Sequence, residues 1–228
     1  MYITPEIGPS IAQITEAGII GKIGFNSCGV GTCLNAIRAK GVSFNKLPLH
    51  LAVRAALNSL SAASAVAVLE KVGVACSGHI LIADANGGIG TEWSILGSQK
   101  IQPKDGVVAH TNHFLCPQPE GVAEPRVAPD SFLRMDRVME LVGRARDKDD
   151  GKGLTVESIE EILDDEQGFP CSINRMAVDG ESQMTLFSIA MDLKSREARV
   201  RIGRPTEGGQ KLTLKATSLR DYLGQKMM

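Results

Sequence analysis

The sequence has 228 residues, a formal net charge of -1, 43% hydrophobic residues and only 4% aromatic residues. A nearly neutral chain offers no basic surface for nucleic acid, and no apolar run reaches the about 20 residues of a membrane-spanning helix. Five cysteines without disulfide-like spacing favour a reducing compartment, and neither a secretory signal nor a peroxisomal C-terminal tripeptide is present. These features predict a cytoplasmic globular protein with one domain over residues 1–228.

The first part of the chain predicts strands followed by two helices. Residues 11–37 alternate short apolar runs with glycines, which is typical of two or three buried strands joined by tight turns. Apolar residues at helical spacing predict a first helix from about Pro48. Ser61 is the predicted N-cap of a second helix, which Gly73 ends.

The rest of the chain predicts hairpins and further helices. The turn residues at 84–88 predict one hairpin, and those at 104–106 predict another that joins 100–103 to 107–110. The later predicted elements are a helix from Asp130 or Ser131, a solvated charged linker at 144–152, a helix capped by Thr155, strands at 185–193, 198–202 and 211–216, and a helical turn at 219–223. Hairpins on either side of helices predict antiparallel sheets with helices packed on them, an α+β fold.

Three blocks of the sequence resemble one enzyme family: ITEAGIIGKIGFNS at Ile14–Ser27, HTNH at His110–His113, and GRPT at Gly203–Thr206. They are similar to the acyl-CoA:isopenicillin N acyltransferase (penicillin acyltransferase) family, peptidase family C45, whose members are N-terminal-nucleophile hydrolases. The resemblance runs from about Gln13 to the end of the chain. It implies a four-layer αββα sandwich and an acyltransferase or amidohydrolase related to those of penicillin biosynthesis, a secondary metabolism.

The resemblance also implies a mechanism. A precursor cleaves itself, and the cysteine freed at the new N-terminus attacks an acyl-CoA thioester or an amide, with its own α-amine as the base. Asn112 of the HTNH motif corresponds to the family asparagine that stabilises the oxyanion, and a carboxamide suits this task because it donates hydrogen bonds without carrying charge. Taken without the family, Asn112 is more simply an asparagine that holds a loop. Asn35 also matches a family asparagine, although a turn residue is an equally good interpretation.

Three further residues match positions near the family's substrate pocket: Ser94, Arg175 and Ser182. Ser94 is equally well an ordinary strand residue, and Arg175 is more simply explained by a structural ion pair with Asp130. The family has an arginine directly after the serine that corresponds to Ser182, whereas this chain has Gln183. Glutamine can donate hydrogen bonds but cannot neutralise a carboxylate. If the family arginine binds the acidic part of a penicillin-type substrate, we expect this protein to prefer a different one.

The nucleophilic cysteine of the family pattern belongs upstream of Ile14 and has no counterpart in this sequence. Met1 cannot replace it, because a thioether has no proton to lose. We therefore expect an N-terminally truncated sandwich in which the nucleophile is not in the chain, which by itself would be inactive. The expected partners are a small-molecule substrate, with acyl-CoA as co-substrate, and a second chain that supplies the nucleophile strand.

Two alternatives stay open at this point. The chain is a non-catalytic truncated homologue or partner subunit, or it is a Cys–His hydrolase that uses Cys116 with His110 or His113. The HxxH spacing of those histidines would need a third ligand to hold zinc, so no metal site is predicted, and no cofactor is expected.

Overall fold

A computed structural model describes residues 1–125, 127–148, 153–178 and 183–217. The described residues form ten strands and four α-helices, divided between two compact units. The described residues of unit 1 lie within Met1–Val127, Leu193–Glu197 and Lys215–Met228, and those of unit 2 lie within Ala128–Asp192 and Ala198–Leu214. None of the helices in the described ranges is both long and apolar enough to cross a membrane. The single domain over 1–228 stays a prediction.

Unit 1 is built on a seven-stranded sheet. Its strands are β1 Tyr2–Ile3, β2 Ile11–Ile14, β3 Ile23–Asn26, β4 Gly31–Asn35, β5 Gly78–Asp84, β6 Gly87–Ser94 and β7 Gly97–Ile101. Each strand pairs antiparallel with the next one along the chain. Gly24 lies opposite Gln13, and a Cβ at Gly24 would stand only 2.6 Å from the Cα of Gln13. The strands predicted within 11–37 are thus confirmed, together with the glycine that their close approach requires.

The second predicted hairpin is wrong. Residues 97–101 form β7, which pairs back on β6, with Ile101 opposite Gly90. Residues 107–110 form no strand, and only one bridge joins Lys104 to Val107. Pro103 explains why the strand does not continue towards the turn, because proline has no backbone N–H to donate to a neighbouring strand. The tight turn that follows forms a single bridge.

Two helices cover one face of this sheet. Helix α1 spans Leu49–Leu57, and helix α2 spans Ala62–Val72. The predicted cap is confirmed, since Ser61 and Ser64 form a reciprocal capping box. Gly73, with a φ of 68°, ends α2 as predicted. The core between helices and sheet consists mainly of Ile11, Val30, Val53, Leu57, Leu69, Val74, Ile80, Ile82 and Trp93.

The opposite face of the sheet carries a row of polar side chains. Successive residues of a strand point to opposite faces, so Ile80 faces the helices and His79 faces away from them. The register places Asn35 on β4 opposite His79 on β5, and His79 opposite Glu92 on β6. All three side chains therefore lie side by side on the face that the helices leave uncovered.

Two helices and three strands lie wholly or almost wholly in unit 2. These are α3 Pro129–Lys148, α4 Val156–Leu163, β8 Phe187–Asp192, β9 Glu197–Ile202 and β10 Lys211–Lys215, with the strands in the order β10-β9-β8. Helix α4 packs against β8, and α3 packs against α4. Thr155 caps α4 through a capping box with Ser158, as predicted.

Helix α3 is longer than the sequence predicts. Residues 144–148 were expected in a charged linker, but they are helical, whereas 149–152 lie outside the described residues. Ion pairs between side chains one helical turn apart support the extension, because Glu140 binds both Arg137 and Arg144. The helical turn predicted at 219–223 also falls outside the described residues.

The GRPT block is a structural anchor within unit 2. The buried guanidinium of Arg204 forms ion pairs with Glu166 and, at 2.7 Å, with Glu207. The hydroxyl of Thr206 donates to Glu166 at 2.8 Å and accepts from Nδ2 of Asn174 at 2.8 Å. The block therefore joins three segments of unit 2, which accounts for its residue types without a catalytic role.

Candidate functional site

The row of polar residues on the sheet continues into the HTNH segment. Nδ1 of His79 donates to Oδ1 of Asn35 at 3.0 Å. The ring of His110 stacks on that of His79, with centroids 3.8 Å apart and 7° between the planes.

His110 is paired with Glu92. Its Nε2 donates to Oε1 of Glu92 at 3.0 Å, and its Nδ1 donates to the carbonyl of Thr111 at 2.8 Å. Both ring nitrogens of His110 are therefore engaged with oxygen atoms. The side chains of His110 and Glu92 are 1% and 0% exposed, so the pair is almost completely removed from water.

Glu92 also holds the segment that follows the HTNH motif. Its carboxylate accepts from the backbone N–H of Leu115 at 2.5 Å, the backbone N–H of Cys116 at 3.0 Å and Nε2 of Gln118 at 3.2 Å. Neither Glu92 nor His79 was predicted from the sequence as a site residue. The available signal was a charged or titratable residue inside an otherwise apolar strand, as in GTEWS, where burial requires a partner.

Asn112 is attached to the end of β4. Its Nδ2 donates to the carbonyl of Ala36 at 3.0 Å, one residue beyond the end of that strand. The neighbours Thr111 and His113 are buried, and Thr111 Oγ1 lies 3.3 Å from His113 Nδ1. The carboxamide of Asn112 is therefore anchored to the chain directly after β4.

The other predicted site residues lie in different surroundings. Ser94 is fully buried at the end of β6, and its hydroxyl donates to the carbonyl of Gly97 at 3.4 Å. Arg175 lies in unit 2 and pairs with Asp130 at 3.2 Å, so the expected ion pair is confirmed. Asp130 also binds Arg134 at 3.0 Å. Ser182 lies outside the described residues, and the substrate contacts of all three residues stay predictions.

The cysteine thiols of the chain include three that resist ionisation. Burial raises the pKa of Cys33 to about 11 and raises the pKa of Cys76. The pKa of Cys116 is also raised, first by burial and then by the nearby carboxylate of Glu92. A nucleophilic cysteine needs the opposite shift, because the thiolate is the reactive form. In the described ranges, no three His, Cys, Asp or Glu side chains cluster closely enough to hold a metal ion.

His79 should make the protein sensitive to acid. Burial and the charge of His110 lower the pKa of His79 from 6.5 to about 2. Below pH 6.5 the unfolded chain binds a proton that the folded chain excludes, so stability falls as the pH falls. For this one group we expect a loss of about 2 kcal/mol between pH 7 and pH 5. Urea unfolding should show a smaller loss in His79→Gln, and equal losses in both proteins would contradict the assignment.

The chain is similar in sequence to known proteins. Residues 1–207 match the family described as acyl-coenzyme A:6-aminopenicillanic acid acyl-transferase. The chain is 36% identical over 214 residues to the 40 kDa form of acyl-coenzyme A:6-aminopenicillanic-acid-acyltransferase from Emericella nidulans. This alignment covers 92% of the chain and 58% of the relative, so the chain spans little more than half of the relative's length.

Solved structures with low sequence identity share the fold. A variant of the conjugated bile acid hydrolase from Clostridium perfringens has a TM-score of 0.65 at 15% identity, covering 91% of this chain and 77% of its own. Penicillin V acylase from Agrobacterium tumefaciens has a TM-score of 0.58 at 12% identity, covering 91% of this chain and 69% of its own. The mixed α/β architecture with antiparallel sheets is thus that of N-terminal-nucleophile hydrolases, and the chain belongs to the acyl-coenzyme A:6-aminopenicillanic acid acyl-transferase family.

Proposed function

We propose that this chain provides the oxyanion-stabilising part of an enzyme that transfers or hydrolyses acyl groups through an acyl-cysteine intermediate. The observation that carries the proposal is the anchored carboxamide of Asn112, which extends from the HTNH motif at the end of the sheet. A donor held in place before the reaction stabilises the negative charge on the carbonyl oxygen without reorganisation. Membership of the family supports the same chemistry.

The proposed reaction has two steps. A cysteine thiolate attacks the carbonyl carbon of a thioester or amide, and the tetrahedral oxyanion collapses by expelling the CoA thiolate or the amine. An amine or water then attacks the acyl-cysteine and releases the thiol. We propose acyl-CoA as the donor and an amine as the acceptor, with Ser94, Arg175 and Ser182 as candidate substrate contacts. Gln183 favours an acceptor that is less acidic than a penicillin nucleus.

The proposal places the nucleophile outside these 228 residues, on a longer form of the protein or on a second chain. The raised pKa values of Cys33, Cys76 and Cys116 support this placement, because none of these thiols is prepared to ionise. Each of the two sources would supply an N-terminal cysteine, whose α-amine is a base with a pKa near about 8.

The first experiment is to purify the protein from its native source and to determine its intact mass and N-terminal sequence. The purified species is then assayed for thiol release from acyl-CoA with an amine acceptor, and for amide hydrolysis. We expect an N-terminal cysteine in the active preparation, and alkylation of that cysteine should abolish both activities. A homogeneous native protein of these 228 residues that has neither activity would contradict the proposal and favour a non-catalytic homologue.

Substitution of Cys116 separates the proposal from a Cys–His hydrolase. The Sγ of Cys116 lies 3.9 Å from the carbonyl of Lys100, and both ring nitrogens of His110 are already engaged by other acceptors. We therefore expect the Cys116→Ala protein to keep its kcat and KM in the thiol-release assay. Cys28→Ala, at an exposed thiol, is the matched control. Loss of activity in Cys116→Ala alone would favour the Cys–His mechanism instead.

A further inference from the structure

We infer that Glu92 is the positioning residue of this site: its buried carboxylate sets the orientation of Asn112 by holding the chain on both sides of it. The inference rests on the proposed oxyanion role of Asn112 and extends that proposal to a residue that touches no substrate. It also explains why an acidic side chain occupies the middle of a buried strand.

The contacts of Glu92 flank Asn112 in the sequence. Oε1 accepts from His110, two residues before Asn112, and from the N–H of Leu115, three residues after it. Oε2 accepts from the N–H of Cys116 and from Nε2 of Gln118. Four donors on one carboxylate offset the cost of burying the charge, and charge-assisted hydrogen bonds are stronger than neutral ones.

The strand gives Glu92 a fixed position. β6 lies inside the sheet, and the register places Glu92 between His79 on β5 and Gln99 on β7. The backbone at Glu92 is thus paired on both sides, whereas residues 110–118 belong to no strand or helix. A loop held by a carboxylate on a rigid strand takes its geometry from that strand.

A second path of contacts leads from the same sheet to Asn112. His79 binds Asn35 and stacks on His110, and Asn35 precedes Ala36, whose carbonyl accepts from the carboxamide of Asn112. In addition, the ring of His110 forms hydrogen bonds with Glu92 and with the carbonyl of Thr111, the residue directly before Asn112. Asn112 is therefore held through its backbone by Glu92 and through its side chain by Ala36, directly after β4.

The residue type at position 92 follows from the donor count. Glutamine has one carbonyl oxygen, so its NH₂ group would face two of the four N–H donors. Aspartate keeps both oxygens but is one methylene shorter. We expect the segment 110–118 to be less ordered in Glu92→Gln than in the wild-type protein. We expect Glu92→Asp to be intermediate between the two. Glu70→Gln is the matched control, because Glu70 forms an ion pair with Lys100 at the surface.

The first readout does not need activity. Hydrogen exchange of the Leu115 and Cys116 amides should be roughly 10-fold faster in Glu92→Gln, because each loses its acceptor. Alkylation of Cys116 should also be faster, because Glu92 contributes to the raised pKa of this thiol. Unchanged exchange and alkylation in a folded Glu92→Gln protein would overturn the inference, whatever the fate of the proposed function.

The second readout uses the acyl-transferring form of the protein. Displacement of an oxyanion donor affects the transition state more than the bound substrate, so Glu92→Gln should lower kcat roughly 10–100-fold with little change in KM. Glu92→Asp should lower kcat less than Glu92→Gln does. If Glu92→Gln does not fold, Glu92→Asp takes its place in every measurement. In a protein that already carries Asn112→Ala, Glu92→Gln should cause no further loss. Full additivity of the two substitutions would overturn the inference while leaving the role of Asn112 intact.

Discussion

Replacement of Asn112 by alanine is expected to lower kcat roughly 10²–10³-fold, with KM nearly unchanged, in the acyl-transferring form of the protein. The carboxamide stabilises charge that exists only in the transition state, so its removal leaves substrate binding intact. Asn112→Asp should be at least as damaging, because an anionic side chain repels the oxyanion. Steady-state assays of thiol release from acyl-CoA measure both variants.

The control for this prediction is Asn45→Ala, at an exposed asparagine in the loop before α1. It should leave both kinetic constants unchanged. Circular dichroism and thermal unfolding should show that Asn112→Ala keeps its fold, since its side-chain contact with Ala36 is a single hydrogen bond near the surface. A folded Asn112→Ala protein with wild-type kcat would refute the oxyanion role and, with it, the central step of the proposed function.

The second large effect is on stability and concerns Asn26. Its side chain is 0% exposed and makes four hydrogen bonds. Nδ2 donates to the carbonyls of Leu57 and Ser59, both at 2.8 Å, at the C-terminal end of α1. Oδ1 accepts from the N–H groups of Cys28 at 2.9 Å and Val30 at 3.0 Å, in the turn between β3 and β4. One carboxamide thus joins a helix end to a strand turn.

Asn26→Ala should destabilise the protein by on the order of 3–5 kcal/mol, because four backbone groups lose the side chain that they bind, and three of these hydrogen bonds are buried. Urea unfolding at pH 7 measures the loss, and Asn45→Ala again serves as control. Asn26→Asp should also be destabilising, since a carboxylate cannot donate to the two helix-end carbonyls. A loss below about 1 kcal/mol for Asn26→Ala would mean that water replaces the carboxamide at this position.

Local signals in the sequence predicted most of the elements correctly. The serine and threonine caps at Ser61 and Thr155 satisfy N–H groups within their own first turn, so a few neighbouring residues contain the whole interaction. The strands between 11 and 37 follow from apolar runs separated by glycines. The prediction was wrong at two places. β7 pairs with β6 rather than with residues 107–110, and ion pairs along α3 keep its charged end helical.

The sequence by itself determined the family and the candidate oxyanion donor. HTNH and ITEAGIIGKIGFNS are continuous blocks, so their residue order is visible without a structure, and the family model confirms the membership. The substrate contacts predicted for Ser94 and Arg175 rested on single matched positions. Their observed contacts, with Gly97 and Asp130, are equally consistent with structural roles.

Only the tertiary structure decided what surrounds Asn112. Asn35 and His79 meet because β4 pairs directly with β5, although helices α1 and α2 separate these two strands in the sequence. Glu92 meets His110 because the chain folds back after β7 onto the face that the helices leave uncovered. The free energy of these buried polar contacts depends on desolvation and on the exact number of donors around each acceptor. Both quantities arise when distant segments come together, so no local pattern of residues encodes them.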